Sequence, residues 1–207
     1  MAPVRIAVLD YGIGNLRSAQ KGLERTGAEA KLTADPADVD AADGVVLPGV
    51  GAFGACMRAL ADTGLDRLAV DAAGSGRPFL GICVGMQLLY EASEESPGVA
   101  GLGILPGTVR WLPDILPRPQ MQWNVLRCIE PEHPLLAGLD GAWLYFVHSL
   151  AVDLGDDVIA TTNYGTDVAA ATARGNVMAT QFHPEKSARA GFRLLQNYVD
   201  LLRTGAG

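Results

Sequence analysis

Val4-Arg5-Ile6-Ala7-Val8-Leu9 opens the chain with a nearly unbroken apolar run, and similar runs recur at Asp43 to Leu47 and at Pro78-Phe79-Leu80-Gly81-Ile82. Runs this short, bounded by Gly and Pro, read as buried strands. Between the first two lies a helical stretch from about Asn15 to Thr26, and a second helix follows Pro48-Gly49-Val50-Gly51. An amphipathic stretch, Met86 to Ala92, follows the third strand. The alternation predicts an α/β fold: an open, mostly parallel central sheet with flanking helices and its site beyond the carboxyl ends of the strands. In the second half, Gly101 to Trp111, Trp123 to Ile129, Trp143 to Val152, Val158 to Thr162, Ala169 to Ala173 and Val177 to Phe182 read as strands. Arg174-Gly175-Asn176 turns the last two into a hairpin. Phe192, Leu195, Tyr198, Val199 and Leu202 fall on one face of a closing helix. The loop from Pro113 to Gln120, with three prolines, is the least regular stretch.

With 207 residues, 49% hydrophobic and 19% charged, the chain suffices for one sizeable core and is short for two, so a single domain over 1–207 is expected. A net charge of −7 and the lack of a basic cluster argue against a nucleic-acid partner. No apolar run approaches about 18 residues and the first strand begins without a signal-type apolar segment, so no membrane contact and a cytoplasmic location are expected. Three cysteines without short paired spacing suit a reducing compartment and offer neither a disulfide framework nor a zinc motif.

One of the three stands apart. Gly81-Ile82-Cys83-Val84-Gly85 places Cys83 where a buried strand turns sharply into a helix, with a glycine two residues away on either side to relieve crowding. The helix N-terminus favours thiolate over thiol. Far downstream, Gln181-Phe182-His183-Pro184-Glu185 sets an imidazole and a carboxylate two residues apart, on the same side of an extended chain. Nucleophile, base and orienting acid are thereby available together. Cys56 and Cys128 read as small packing residues. His148 sits inside an alternating strand, His133 reads as loop surface, and Gly12-Ile13-Gly14 is no dinucleotide fingerprint because Arg17 occupies the place of the third glycine.

These segments together resemble a class I, triad-type glutamine amidotransferase domain, and more narrowly the family of glutaminase subunits of imidazole glycerol phosphate synthases. The resemblance covers nearly the whole chain. It rests on Asp10-Tyr11-Gly12-Ile13-Gly14-Asn15-Leu16, Pro48-Gly49-Val50-Gly51-Ala52-Phe53, Cys83-Val84-Gly85-Met86-Gln87-Leu88-Leu89, Tyr145-Phe146-Val147-His148-Ser149 and Phe182-His183-Pro184-Glu185-Lys186-Ser187, in order and spacing. Two departures stand out. Val84 replaces the usual Leu, and Gln120-Met121-Gln122-Trp123-Asn124 replaces the common His-Met-Gly-Trp-Asn, which puts in question what that segment does, with partner contact the leading role.

The resemblance implies Cys83 as nucleophile, His183 as base and then acid, and Glu185 as its orienter. It implies an oxyanion hole from the backbone N–H groups of Val84 and Val50. Gln87, an exposed helix position by pattern, returns to the face of Cys83 as a glutamine contact. Glu95 receives the substrate's α-ammonium, with Glu94 as substitute, and His148 and Ser149 line the pocket through backbone groups. L-Glutamine is the implied substrate, with no cofactor and no metal. The implied partner is a cyclase subunit, a (β/α)₈ barrel forming a heterodimer with this chain, and Asn15, Trp123 and Lys186 are candidates for the docking face. Another synthase's glutaminase, or a catalytically silent binding subunit on the same fold, are the alternatives; an intact Cys83, His183 and Glu185 argue against the silent one.

Overall fold

The computed structural model describes residues 2–205. In chain order the first half runs β1 (Arg5–Leu9), α1 (Leu16–Glu24), β2 (Glu29–Thr33), α2 (Pro36–Asp40), β3 (Gly44–Gly49), α3 (Phe53–Thr63), α4 (Leu65–Gly74), β4 (Phe79–Cys83) and α5 (Val84–Leu88). The second half runs β5 (Ala92–Ser93), β6 (Thr108–Trp111), β7 (Gln120–Val125), β8 (Arg127–Cys128), β9 (Trp143–His148), β10 (Leu150–Val152), β11 (Val158–Asn163), β12 (Asp167–Arg174), β13 (Val177–Thr180) and α6 (Ala188–Thr204).

The main sheet has the order β2-β1-β3-β4-β13-β12-β11-β8. From β2 to β13 neighbours pair in parallel, and from β13 to β8 antiparallel. Strand order reverses between β1 and β3: the chain leaves β1 toward one edge and β3 toward the other. With right-handed crossovers, α1 therefore lies on one face and α3 and α4 on the opposite one. Every residue of β3 and β4 is buried, as strands covered on both faces must be. The closing helix α6 is pinned to the sheet by Tyr198, whose hydroxyl lies 2.9 Å from the carbonyls of both Val45 and Pro78. The consequence for function is that the loops after β1, β3 and β4 open on one side, at the reversal of strand order where α/β sheets form their clefts.

Several expectations are corrected. Met86 to Ala92 is not an amphipathic helix: α5 ends at Leu88 with all five residues buried, because it runs inside the molecule with no solvent face to set a pattern. Ala92 and Ser93 instead join a three-stranded sheet, β10-β6-β5. The strand expected from Gly101 is confined to Thr108–Trp111, since Gly103 and Gly107 take positive φ and interrupt extended backbone. Trp143 to Val152 divides at Ser149, β9 pairing with β7 and β10 with β6. Gln120 opens β7 instead of closing the preceding loop. The hairpin at Gly175-Asn176 forms as expected, with Arg174 paired to Val177 and positive φ at Gly175. Among the described residues no helix is long and apolar enough to cross a membrane.

Candidate active site

Cys83 ends β4 with φ 55° and ψ −114°, a backbone conformation rare outside glycine and characteristic of strained functional turns. The flanking glycines make it possible. A Cβ on Gly85 would run into the Leu47 carbonyl, and one on Gly81 would meet the Gly85 carbonyl at 2.9 Å and the Met86 Cα at 3.0 Å. The elbow is thus pressed against β3 and against its own helix with no space for side chains.

Sheet register carries the other groups to it. Gly49 pairs with Cys83, and Ile82 with Thr180. The residues just beyond these partners, Val50 on one side and Gln181 to His183 on the other, therefore flank the thiol, although about 100 residues of sequence separate Cys83 from His183. The His183 Nδ1 lies 2.8 Å from Glu185 Oε1, with the two side chains only 3% and 4% exposed. Burial alone disfavours an imidazolium there. Hydrogen bonds to the Cys83 thiol and then to Glu185, and the negative charges behind them, outweigh it and raise His183 to about 9. The resting imidazole is therefore held as the cation, the state that supports a neighbouring thiolate and carries a proton ready for a leaving amine.

A cleft of about 410 Å³ opens over this group, lined by Asn15, Val50, Gly51, Cys83, Val84, Gln87, Glu95, His148, Ser149, His183 and Lys186 among others. Eleven of the twelve residues singled out from the sequence for site or docking roles thus meet at one place or directly beside it, counting Glu185 behind His183; Trp123 does not. Trp123 faces a neighbouring groove of about 690 Å³ with Trp143, Arg189 and Arg193. It is linked back to the site edge-on through Tyr145, at 6.1 Å between ring centroids, and Tyr145 in turn lies 6.4 Å from the His183 ring.

Individual positions sharpen or change the sequence reading. Gln87 is buried, not exposed: its amide donates to the Leu150 carbonyl at 3.2 Å and to Gln181 Oε1 at 3.0 Å. Gln181, given no role from sequence, places its own amide nitrogen 3.8 Å from the Cys83 sulfur. Its position two residues before His183 on extended backbone was the available signal. Glu95 reaches the cleft and accepts from the Phe53 N–H at 2.6 Å. Glu94 is no substitute, since it turns away to Arg110 at 2.9 Å and to the Trp111 N–H at 3.0 Å, contacts that hold its carboxyl below the usual range.

His148 is buried, and that burial pushes it down to about 4, so it is neutral. Its Nδ1 lies 2.8 Å from the Leu150 carbonyl, which places the single proton on Nδ1 and leaves Nε2 a lone pair. Gln120 Oε1 stands 3.0 Å from that Nε2 while the Gln120 amide nitrogen is buried without a partner, so exchanging the two ends of this amide satisfies both groups, its NH₂ then donating to Nε2. The departure at Gln120 is therefore an internal contact behind the cleft, whereas Met121 and Trp123 in the same segment are exposed. His133 is half-buried and not free surface, its Nδ1 accepting from the Leu135 N–H at 3.3 Å. Cys56 is fully buried, and burial raises the half-buried Cys128 thiol to about 11, leaving neither a reactive thiolate. Among the described residues no cluster of three or more His, Cys, Asp or Glu could hold a metal ion.

A thiol at a strained elbow, an imidazolium at its side, a buried carboxylate behind the imidazole and a glycine-rich loop abreast of the thiol form the equipment for acyl transfer from an amide. Comparison with known proteins agrees. The family model of glutamine amidotransferase class-I matches residues 7–200, and the chain belongs to that family. Within it, the chain is 50% identical to the imidazole glycerol phosphate synthase subunit HisH of Symbiobacterium thermophilum, over 97% of each chain. It is 46% identical to the HisH subunit of Methanothermobacter thermautotrophicus, over 96% of this chain and 99% of the relative. It is 52% identical to that of Synechococcus elongatus, over 94% and 92%. Among solved structures, a glutamine amidotransferase superposes with a TM-score of 0.76 at 22% identity, covering 96% of this chain and 98% of the other, a likeness of fold.

Proposed function

We propose that this chain is the glutamine-hydrolysing subunit of an imidazole glycerol phosphate synthase and that it passes ammonia to a cyclase partner. The observation that carries the reading is the convergence of Cys83, His183 and Glu185 at one elbow in a chain about half identical, end to end, to such subunits. In the proposed sequence, the Cys83 thiolate attacks the glutamine carboxamide. The Val50 and Val84 N–H groups receive the oxyanion, and His183, held by Glu185, protonates the departing ammonia. Water then attacks the thioester with His183 as base, releasing glutamate and restoring the thiol. Glu95 meets the substrate's α-ammonium, and Ser149 and His148 line its pocket. Gln87, its amide held by the Leu150 carbonyl and Gln181, lines the same cleft as a contact for the glutamine.

Ammonia leaves for a (β/α)₈-barrel cyclase docked around Asn15, Lys186 and Trp123. There it joins a phosphoribulosyl nucleotide intermediate to give imidazole glycerol phosphate and aminoimidazole carboxamide ribotide. The loop Gly49-Val50-Gly51 allows the Val50 amide to point toward or away from the oxyanion, and misdirecting one such donor costs about 10²–10³ in rate. Docking of the loaded partner turns it inward only if it binds that state better by a comparable free energy. The test is glutamate release by the chain alone, with the cyclase, and with cyclase plus nucleotide. A steep rise in the last arm with little change in glutamine affinity is expected. No release in any arm defeats the glutaminase reading, and equal release in all three defeats the switch.

A further inference from the structure

The loop that carries the Val50 N–H is gripped from inside by two side chains that the reaction itself does not use. Tyr11, 2% exposed, donates its hydroxyl to the Pro48 carbonyl at 2.8 Å. Cys56, fully buried in the first turn of α3, donates its thiol to the Val50 carbonyl at 3.3 Å. Each group has one proton to give, and these two bonds use both. Burial pushes both groups upward, so both keep the proton they donate.

The placement of the two grips matters more than their number. The Pro48 carbonyl belongs to the peptide before Gly49, and the Val50 carbonyl to the peptide after Val50. Between them stands a single peptide, Gly49–Val50, whose N–H is the oxyanion donor in the reading above. With its neighbours held, its direction is governed by ψ of Gly49 and φ of Val50 alone. The site is also tight: a Cβ on Gly49 would lie 2.9 Å from the Tyr11 hydroxyl and 2.7 Å from the Gly85 nitrogen. Pairing of Gly49 with Cys83 fixes the same segment against the thiol.

We propose that Tyr11 and Cys56 are positioning residues that clamp the carbonyls on either side of the Gly49–Val50 peptide, so that this peptide alone turns its N–H to the oxyanion when the loaded partner docks. The proposal rests on the glutaminase reading. It makes Cys56 more than the packing residue its sequence suggests, while leaving the nucleophile's role to Cys83.

The test uses the complex with the cyclase and its nucleotide, comparing Tyr11→Phe, Cys56→Ala and Cys56→Ser with the unaltered chain. Loss of one buried hydrogen bond should lower kcat for glutamate release about 3- to 10-fold in Tyr11→Phe and in Cys56→Ala. KM for glutamine should stay within about two-fold, because the contact matters in the transition state. Cys56→Ser, which restores a donor, should recover most of the loss. Alkylation of Cys83 by iodoacetamide, followed on its peptide by mass spectrometry, should proceed at the unaltered rate, since displacement at a saturated carbon builds no oxyanion. Synthesis from free ammonium should also be unchanged. An unchanged kcat in Cys56→Ala, or a loss matched by slower alkylation, overturns the clamp; the cysteine pair decides the matter even if Tyr11→Phe folds poorly. Failure of the unaltered complex to release glutamate defeats the underlying glutaminase reading as well, and so is told apart from failure of the clamp alone.

Discussion

Replacing Glu185 by Gln removes one charge and few atoms, and the geometry sets what that should cost. Glu185 Oε1 lies 2.8 Å from His183 Nδ1, both side chains are almost wholly buried, and His183 is raised to about 9 in spite of burial. A buried unit-charge pair at about 4 Å is worth about 4 kcal/mol at an effective dielectric of about 20. A Gln amide oxygen still accepts from Nδ1–H and recovers about 1 kcal/mol. The imidazolium is then less stable by about 3 kcal/mol, which lowers its protonation constant by roughly 10² and, starting from about 9, leaves about half of the imidazole protonated at pH 7 and almost none at pH 9. In Glu185→Gln, kcat for glutamate release by the complex should drop about two-fold at pH 7 and by roughly 10² near pH 9, following that fraction. KM for glutamine should hardly move, because Glu185 stands behind His183 and away from the cleft. Stopped assays of glutamate over a range of glutamine concentrations measure both constants. Ammonium-dependent synthesis by the same preparation confirms an intact complex. A variant that keeps kcat, or that loses activity through KM, refutes the electrostatic role assigned to Glu185.

Cys83→Ala should abolish glutaminase activity and spare synthesis from free ammonium, while Cys128→Ala remains fully active; glutamine-dependent synthesis by Cys83→Ala would end the assignment. Gly85→Ala should destabilise the chain by about 3 kcal/mol or more despite alanine's better helix propensity, because its Cβ meets the Leu47 backbone, and a denaturation midpoint at or above that of the unaltered chain would contradict this. His148, lowered to about 4 from an ordinary 6.5, is protonated more readily unfolded than folded. It therefore contributes stability that is present above pH 6.5 and lost as pH falls toward 4, in total about 3 kcal/mol. Denaturant unfolding at pH 7, 6, 5 and 4 should show that decline and a flatter one in His148→Gln, although His133, lowered by burial too, acts in the same direction; identical slopes for the two proteins would show that His148 titrates normally.

What the sequence discloses about this chain follows from how local each constraint is. The elbow was legible because its requirements lie within five residues: a strained cysteine and a glycine on each side, each excluding a Cβ for its own reason. The alternating first half was legible because β3 and β4, buried on both faces, must be written almost wholly in apolar residues. Misreadings came where burial erased the pattern. The helix α5 has no polar face to mark its end, and edge strand β2, alternating exposed and buried positions over five residues, gave too short a signal between two helices.

Contacts between distant segments were the least legible, and they are the ones that finish the site. Gln87 meets Gln181 across 94 residues, His148 meets Gln120 across 28, and Tyr11 meets the Pro48 carbonyl across 37. None has a local sequence requirement, since a glutamine or tyrosine is equally at home facing water. Each becomes informative only when the sheet brings its partner alongside. The same register explains why the triad could be guessed and its support could not. Pairing of Gly49 with Cys83 and of Ile82 with Thr180 places three segments abreast, and the chemistry of Cys83, His183 and Glu185 is recognisable by residue type alone. The side chains that aim those segments carry no reactive group to betray them. Substitutions at Tyr11, Cys56 and Gln181 should accordingly change turnover while leaving the motif intact, so equal motifs in two chains of this family do not imply equal rates.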